Sequence, residues 1–424
     1  MRRLSTARFA SISLVALLAA CADDPTAPPR ITPVLSGHGS EGRGDFHRYV
    51  AIGTSVSMGV QSDGVIASTQ QQSWPAQLAA MAGRELSLPL IQEPGCQSPL
   101  VAPLAANGRL SGESASGSSV CAPNVDGVEL PAGNVAIAAA LASDALSKTP
   151  ETATTADYAL GRVYARVLAP GQSQVTAMLA QNPKVVTVEL GANELLGARG
   201  GLVIPGVTVV PYGSWERAYD QVIDAVQQSG AKHVALVGLI DDAASFPSFR
   251  YGSELWAVRG EFARFYVSVS ADCEGSENLI FVPVRVPTIV AQAHSAALAG
   301  QPMPVFSCAD VPGRLDYVLT PRDRAAVNAQ LRAMSAHVQQ LASANGYAYF
   351  ALDALYGMDG LKAPFSLSTL LFSSQPYGPF ISLDGFHPSG AGQTVLANAA
   401  ATAFNATYDL GIPVETPEGV IADR

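Results

Sequence analysis

The chain has 424 residues, a formal charge of −10, 48% hydrophobic and 14% charged residues, with 38 Gly and 29 Pro. That composition excludes a disordered acidic protein and a coiled coil, both of which carry more charge and fewer apolar side chains. The acidic balance, with no Lys/Arg cluster after the first ten residues, also excludes nucleic acid as a partner, because neutralising phosphates needs a basic face.

From its beginning the chain presents Arg2, Arg3 and Arg8 around the start of an apolar run over residues 9–20, the layout of a secretory signal. The run stops at Cys21, and Leu18-Ala19-Ala20-Cys21 resembles the lipobox of bacterial lipoproteins, in which the signal is cut before a cysteine that then carries acyl chains. On the residues alone, an ordinary cleaved signal with an incidental cysteine is the alternative. The resemblance implies a protein of the bacterial cell envelope anchored to the membrane through Cys21, and Ala22 after the cysteine implies the outer membrane. Loss of residues 1–20 removes three arginines and no acid, taking the charge from −10 to −13. Attraction to anionic lipid therefore cannot hold the chain, and the covalent lipid would, at about 0.8 kcal/mol per buried CH₂. No later run approaches the ~18 apolar residues of a spanning helix.

Residues 21–45 are rich in Pro, Gly, Ser and charge (Asp23-Asp24-Pro25, Pro28-Pro29, Gly37-His38-Gly39) and read as a flexible tether. Tyr49-Val50-Ala51-Ile52 reads as a buried strand ending at Gly53, and residues 73–82 as a helix with Ser73 at its N-cap. Leu88-Pro89-Leu90-Ile91 is expected as a second strand. Residues 96–135 lack a period and read as a long ordered insertion, with helices around 134–146 and 172–181 beyond it. The β-branched run 184–190 is expected as a central strand. A helix over 215–229, a strand over 233–238 and a further strand over 278–282 follow. In 323–345, Val327, Leu331, Met334, Val338 and Leu341 recur at helical spacing, ended by Gly346, and 347–352 returns to strand composition. Strands alternating with helices imply a parallel sheet covered on both faces, in one domain over 46–410 with a tail at 411–424.

Apart from Cys21, four cysteines remain, an even number suited to an oxidising compartment. Of three possible pairings the sequential one, Cys96 with Cys121 and Cys273 with Cys308, closes the modest loops, each worth ~3–4 kcal/mol in the loop-entropy picture. A metal is not expected: there is no CxxC, and the histidines (His38, His47, His233, His294, His337, His387) are scattered.

Three segments carry chemistry. Gly53-Thr54-Ser55-Val56-Ser57 places a serine at the carboxyl end of the first strand, where open α/β sheets build their sites. It is not the G-x-S-x-G elbow, since Ser57 stands where that motif needs Gly. Gly191-Ala192-Asn193-Glu194 follows the strand at 184–190. Near the C-terminus, Asp384-Gly385-Phe386-His387-Pro388 puts a carboxylate three residues before an imidazole, a spacing that lets Asp384 hold Nδ1–H and leave Nε2 free to take a serine proton.

Together these segments resemble the SGNH (GDSL) hydrolases, a family of esterases and lipases, with the four family blocks in order. The resemblance implies a flavodoxin-like three-layer α/β/α sandwich with a mostly parallel sheet, here with long loop insertions. It implies Ser55 as nucleophile and first oxyanion donor, Gly95 as the second-block glycine and second donor, Asn193 as third donor, and Asp384 and His387 as the triad partners. Thr54 and Glu194 depart from the acids usual in the motifs, and Ser57 is a rival nucleophile. The implied reaction is hydrolysis of an ester substrate through an acyl-enzyme, with no metal or organic cofactor. The apolar segments 195–205 and 367–381, flanking the motifs, suggest an acyl or lipid pocket. An O-acetyl-polysaccharide esterase is the second expectation, though 7% aromatic residues speak against a sugar-stacking platform. A surface lipoprotein that keeps the fold as a non-catalytic binding module is the third.

Overall fold

The structure, a computed structural model, describes residues 40–153 and 159–415. The expected leader, Cys21 and most of the tether lie outside the described residues, as does the end of the expected tail. The last residues assigned to the tether are ordered instead: Ser40–Gly44 is a short helix and Asp45–Arg48 a 3₁₀ turn. Phe46 is the reason, since its ring is buried edge-on against Tyr49 and Phe404.

The central sheet has four parallel strands in the order β1 (Tyr49–Ile52), β2 (Val185–Val188), β3 (His233–Gly238) and β4 (Ala348–Ala351). Every side chain of β1 and β2 is buried, as expected of strands covered on both faces. Residues 133–137 run along the outer edge of β1, where Ala51 N–H donates to the Gly133 carbonyl (2.9 Å), Val135 N–H to Ala51 (2.9 Å) and Ile137 N–H to Gly53 (3.0 Å). With that segment counted, the extended segments lie in the order 2-1-3-4-5 of a flavodoxin-like sheet, whose ligand crevice opens where β1 and β2 diverge.

The helices that cover the central sheet are α1 (Trp74–Met81), α2 (Gln174–Ala180), α3 (Tyr212–Gln228), α4 (Pro321–Asn345) and α5 (Gly390–Tyr408). One layer is α1 packed on α5, with α5 against β3 and β4; the other is α2 on β1, α4 on β3 and β4, and α3 against both α2 and α4. In α4 the predicted stripe is buried at Val327, Leu331, Met334 and Val338, Thr320 caps the first turn by accepting from Asp323 N–H (3.2 Å), and Gly346 closes it at φ 66°. Both disulfides join as expected, Cys96 to Cys121 and Cys273 to Cys308.

Four expectations are corrected. Residues 88–91 form only an isolated bridge between Ile91 and Asn124, and their place in the sheet is taken by 133–137. The helix expected over 134–146 is confined to Ala142–Ser147, because the free edge of β1 claims the backbone of 133–137 despite its alanine-rich composition. Leu279–Phe281 is a strand, but it pairs antiparallel with Phe249–Tyr251 and Val318–Leu319 in a separate small sheet. Ser73 does not cap α1 with its side chain; Trp74 N–H instead donates to Gln393 Oε1 (2.9 Å).

Candidate active site

β1 ends at Gly53, where an added Cβ would stand 2.6 Å from Ser57, so the chain can turn tightly into the single helical turn Ser55–Met58. Ser55 is the first residue of that turn and its N–H has no intrahelical acceptor. Behind it the buried Glu189 carboxylate, just past β2, gathers Thr54 N–H (3.0 Å), Thr54 Oγ1 (2.9 Å), Ser57 N–H (3.3 Å) and Ser57 Oγ (3.0 Å). Thr54 thus supplies hydrogen bonding to a carboxylate from the position at which the resemblance noted above implies an acid. Ser57 is fully buried, and its hydroxyl also accepts from Trp74 Nε1 (3.2 Å), so it faces the interior and not the crevice. Burial raises Glu189 above the ordinary carboxylate value against the pull of these four donors.

The turn before α5 brings the other two groups. His387 Nε2 lies 2.9 Å from Ser55 Oγ, and His387 Nδ1 lies 2.8 Å from Asp384 Oδ2. Asp384 Oδ2 also accepts from Asp63 N–H (2.6 Å), while Oδ1 accepts from the N–H groups of Phe386 and His387 (both 2.8 Å) and from Ser382 Oγ (3.3 Å). Gly385 allows this turn: its φ is 71°, and a Cβ there would meet the Tyr377 ring at 2.7 Å. Burial works to raise Asp384, but the imidazole charge and these hydrogen bonds hold it below its usual value. Burial likewise works to lower His387, and the Asp384 carboxylate, aided by Asp63, overrides it and lifts the imidazole above its ordinary value.

Asn193 Nδ2 donates one hydrogen to the Ala140 carbonyl (2.9 Å), which leaves the second amide hydrogen for the crevice. Gly95, expected as the second oxyanion donor, is not brought to the serine. Its N–H donates to the Gln92 carbonyl (2.9 Å), and at φ 101° it packs against Val65 O as a turn residue beside Cys96. Ala138 and Ala139 stand with Ser55, Asn193 and His387 around the recess, and neither N–H meets an acceptor among the described residues; Ala139 is set apart as a non-glycine at φ 62°. It is delivered there by the 133–137 edge segment, with Asn134 locking the approach by donating from Nδ2 to the Ser57 carbonyl (2.8 Å) and accepting from Ala136 N–H (3.0 Å). Sequence reasoning missed Ala139 because an alanine-rich run hides the need for a left-handed residue. The signal available was Asn134, a polar residue in an otherwise apolar segment. Glu194, beside Asn193, is buried too; its Oε1 accepts from Ala142 N–H (2.7 Å), Oε2 has no partner, and desolvation pushes its pKa up to about 7.

A cavity of about 740 Å³ opens over Ser55 and His387. Toward the small sheet it is apolar, lined by residues such as Leu239, Phe249, Phe281, Leu331 and Tyr356. Toward the insertion closed by Cys96–Cys121 it is more polar, with Gln97, Asn107, Arg109, Ser116 and Ser118 standing beside Leu100 and Leu104. Of the flanking apolar segments, Leu195 and Leu196 do line the cavity. Leu367–Phe372 does not: Leu367, Leu370 and Leu371 are buried against the elements at 104–106 and 259–264. A hydroxyl within reach of an imidazole that is itself held by a carboxylate, beneath unpaired N–H donors, suits acyl transfer. A sequence profile of the family described as GDSL-like Lipase/Acylhydrolase matches residues 49–400. No curated protein matches the chain.

Proposed function

The chain belongs to the GDSL-like lipase/acylhydrolase family and is an esterase/lipase-type hydrolase, and from that premise we propose that it cleaves carboxylic esters through Ser55, His387 and Asp384. Ser55 Oγ attacks the ester carbonyl carbon while its proton passes to His387 Nε2. The oxyanion so formed is met by the N–H groups of Ser55 and Ala139 and by the Asn193 amide, each donor worth ~2.7–4 kcal/mol of barrier. The bond to the alcohol then breaks as Nε2 returns the proton to the leaving oxygen, and water repeats the sequence on the acyl-enzyme. Asp384 keeps the Nδ1–H tautomer and stabilises the imidazolium. The observation that carries this reading is the unbroken chain of contacts from Ser55 Oγ through His387 to Asp384 at 2.9 and 2.8 Å.

The apolar chamber supports an acyl or lipid ester as substrate, with the acyl chain among Phe249, Phe281 and Leu331. The Leu18-Ala19-Ala20-Cys21 sequence and the disulfides support a lipid-anchored place at the cell envelope, with Cys21 acylated. Turnover of p-nitrophenyl esters of increasing chain length tests both parts. Long chains should be preferred over acetate, and His387→Ala should lose at least about a thousandfold in kcat. Acetate preference would undo the lipid reading, and full activity in His387→Ala would undo the triad.

A further inference from the structure

The segment that carries Asn193 is a 3₁₀ helix over Ala192–Gly200. Such a helix has three residues per turn and rises about 2 Å per residue, so side chains three apart eclipse one another and form a straight ridge. Asn193, Leu196 and Arg199 occupy that ridge, and all three line both the main cavity and the small recess beside Ser55. Along it, about 6 Å per step, run an amide at the reaction centre, an apolar spacer and a guanidinium.

Arg199 is half-buried, and among the described residues it makes no ion pair and no hydrogen bond. The two carboxylates that line the cavity are committed elsewhere. Asp63 Oδ2 is held by Arg109 Nη2 and Gln97 Nε2, both at 2.6 Å, and Asp384 is held by His387 and the backbone. The guanidinium is also near enough that its charge opposes protonation of His387. In the recess, Arg199 shares the walls with Asp63, Gly64 and Gln97 and with none of Phe249, Phe281 and Leu331, which line the main cavity alone, while the next residue, Gly200, accepts from Tyr317 N–H (2.9 Å). A cation without a partner, facing a cavity whose other arm is apolar, is a binding element for an anion.

We propose that Arg199 is a specificity-determining residue that binds an anionic group, a phosphate or carboxylate, on the alcohol portion of the ester. This rests on the esterase reading above: the acyl chain fills the apolar chamber, so the alcohol lies in the polar arm, where Arg199 and the proton donor His387 meet it. The substrate class is therefore an apolar acyl ester of an acidic alcohol.

The test compares kcat/KM for phenyl butyrate and 3-carboxyphenyl butyrate in the wild-type chain, Arg199→Lys and Arg199→Ala, with monophenyl glutarate placing the anion on the acyl side instead. The ratio of carboxyphenyl to phenyl ester should fall about tenfold in Arg199→Ala and less in Arg199→Lys, with the change mostly in KM. Raising salt to about 0.5 M should shrink the wild-type ratio, a readout that needs no variant to fold. A ratio unmoved by the substitution and by salt, or a shift confined to the glutarate, overturns the assignment while leaving the esterase intact. Failure of the wild-type chain to hydrolyse phenyl butyrate at all would strike the esterase reading and take this one with it.

Discussion

The side-chain amide of Gln393 donates to the carbonyl of Val56 at 3.0 Å, across 337 positions of sequence. Its oxygen accepts from Trp74 N–H at 2.9 Å, so one buried side chain of α5 clamps the turn that holds Ser55 to the helix that follows the His387 turn. Replacing it with leucine keeps the volume but strands both backbone groups. Gln393→Leu should lose ~2–4 kcal/mol of stability, read from the urea midpoint, and lower kcat more than it changes KM because the serine and imidazole lose their common support. Wild-type stability and kcat in this variant would show the clamp to be incidental.

Ala139 holds φ 62° without being glycine, a conformation that costs an L residue roughly 1–2 kcal/mol. Ala139→Gly should relieve that strain and, after glycine's own entropic penalty, raise stability by up to about 1 kcal/mol. Ala139→Val should lower both stability and kcat, since a β-branched residue resists the left-handed region and would shift the N–H proposed to meet the oxyanion. Urea titration with parallel kinetics on a p-nitrophenyl ester reads both effects.

The imidazole and Asp384 titrate as a pair. The proposed reaction needs neutral His387, whose pKa is raised by Asp384, so kcat/KM should fall on the acid side through a limb above the ordinary imidazole value of about 6.5. Asp384→Asn removes the charge responsible and should move that limb downward while lowering kcat by about 10⁴. Stability carries opposite signs at the two ends. The lowered Asp384 contributes stability above its unfolded value that is lost as pH falls through its folded value. The raised His387 contributes stability at low pH that is lost as pH rises through its folded value.

Glu194 is raised from 4.5 to about 7 by desolvation. The folded chain therefore holds a proton there that the unfolded chain has already lost, and stability should decline as pH rises from about 4.5 to 7, by about 3 kcal/mol. Glu194→Gln removes the titration and leaves the bond to Ala142 N–H in place. The variant should gain on the wild type at pH 8 relative to pH 5, seen as diverging urea midpoints; parallel midpoints would mean that Glu194 stays charged throughout.

Much of the fold was legible because strands buried on both faces and the helix stripe from Val327 to Leu341 leave period and composition in the sequence. β1 and β3 fall on the expected residues. The three segments that hold Ser55, Asn193, Asp384 and His387 could likewise be read from residue type and spacing, since each of these residues sits where a strand or turn must deliver it. What could not be read is set by backbone demand. Residues 133–137 join the sheet because β1 offers an unpaired edge, Ala139 turns left-handed because that segment must pass Ser55, and neither demand appears in an alanine-rich composition. Gly95 misled for the converse reason: it does adopt a glycine-only conformation, but one required by the turn at the disulfide. Arg199 became visible only when its 3₁₀ register placed it in line with Asn193.

The most direct measurement of the central claim is mass spectrometry of the chain after reaction with a fluorophosphonate probe, followed by digestion. The account expects one adduct, on Ser55, lost in Ser55→Ala and strongly slowed in His387→Ala. An adduct on Ser57, or ester turnover that survives Ser55→Ala, would contradict it.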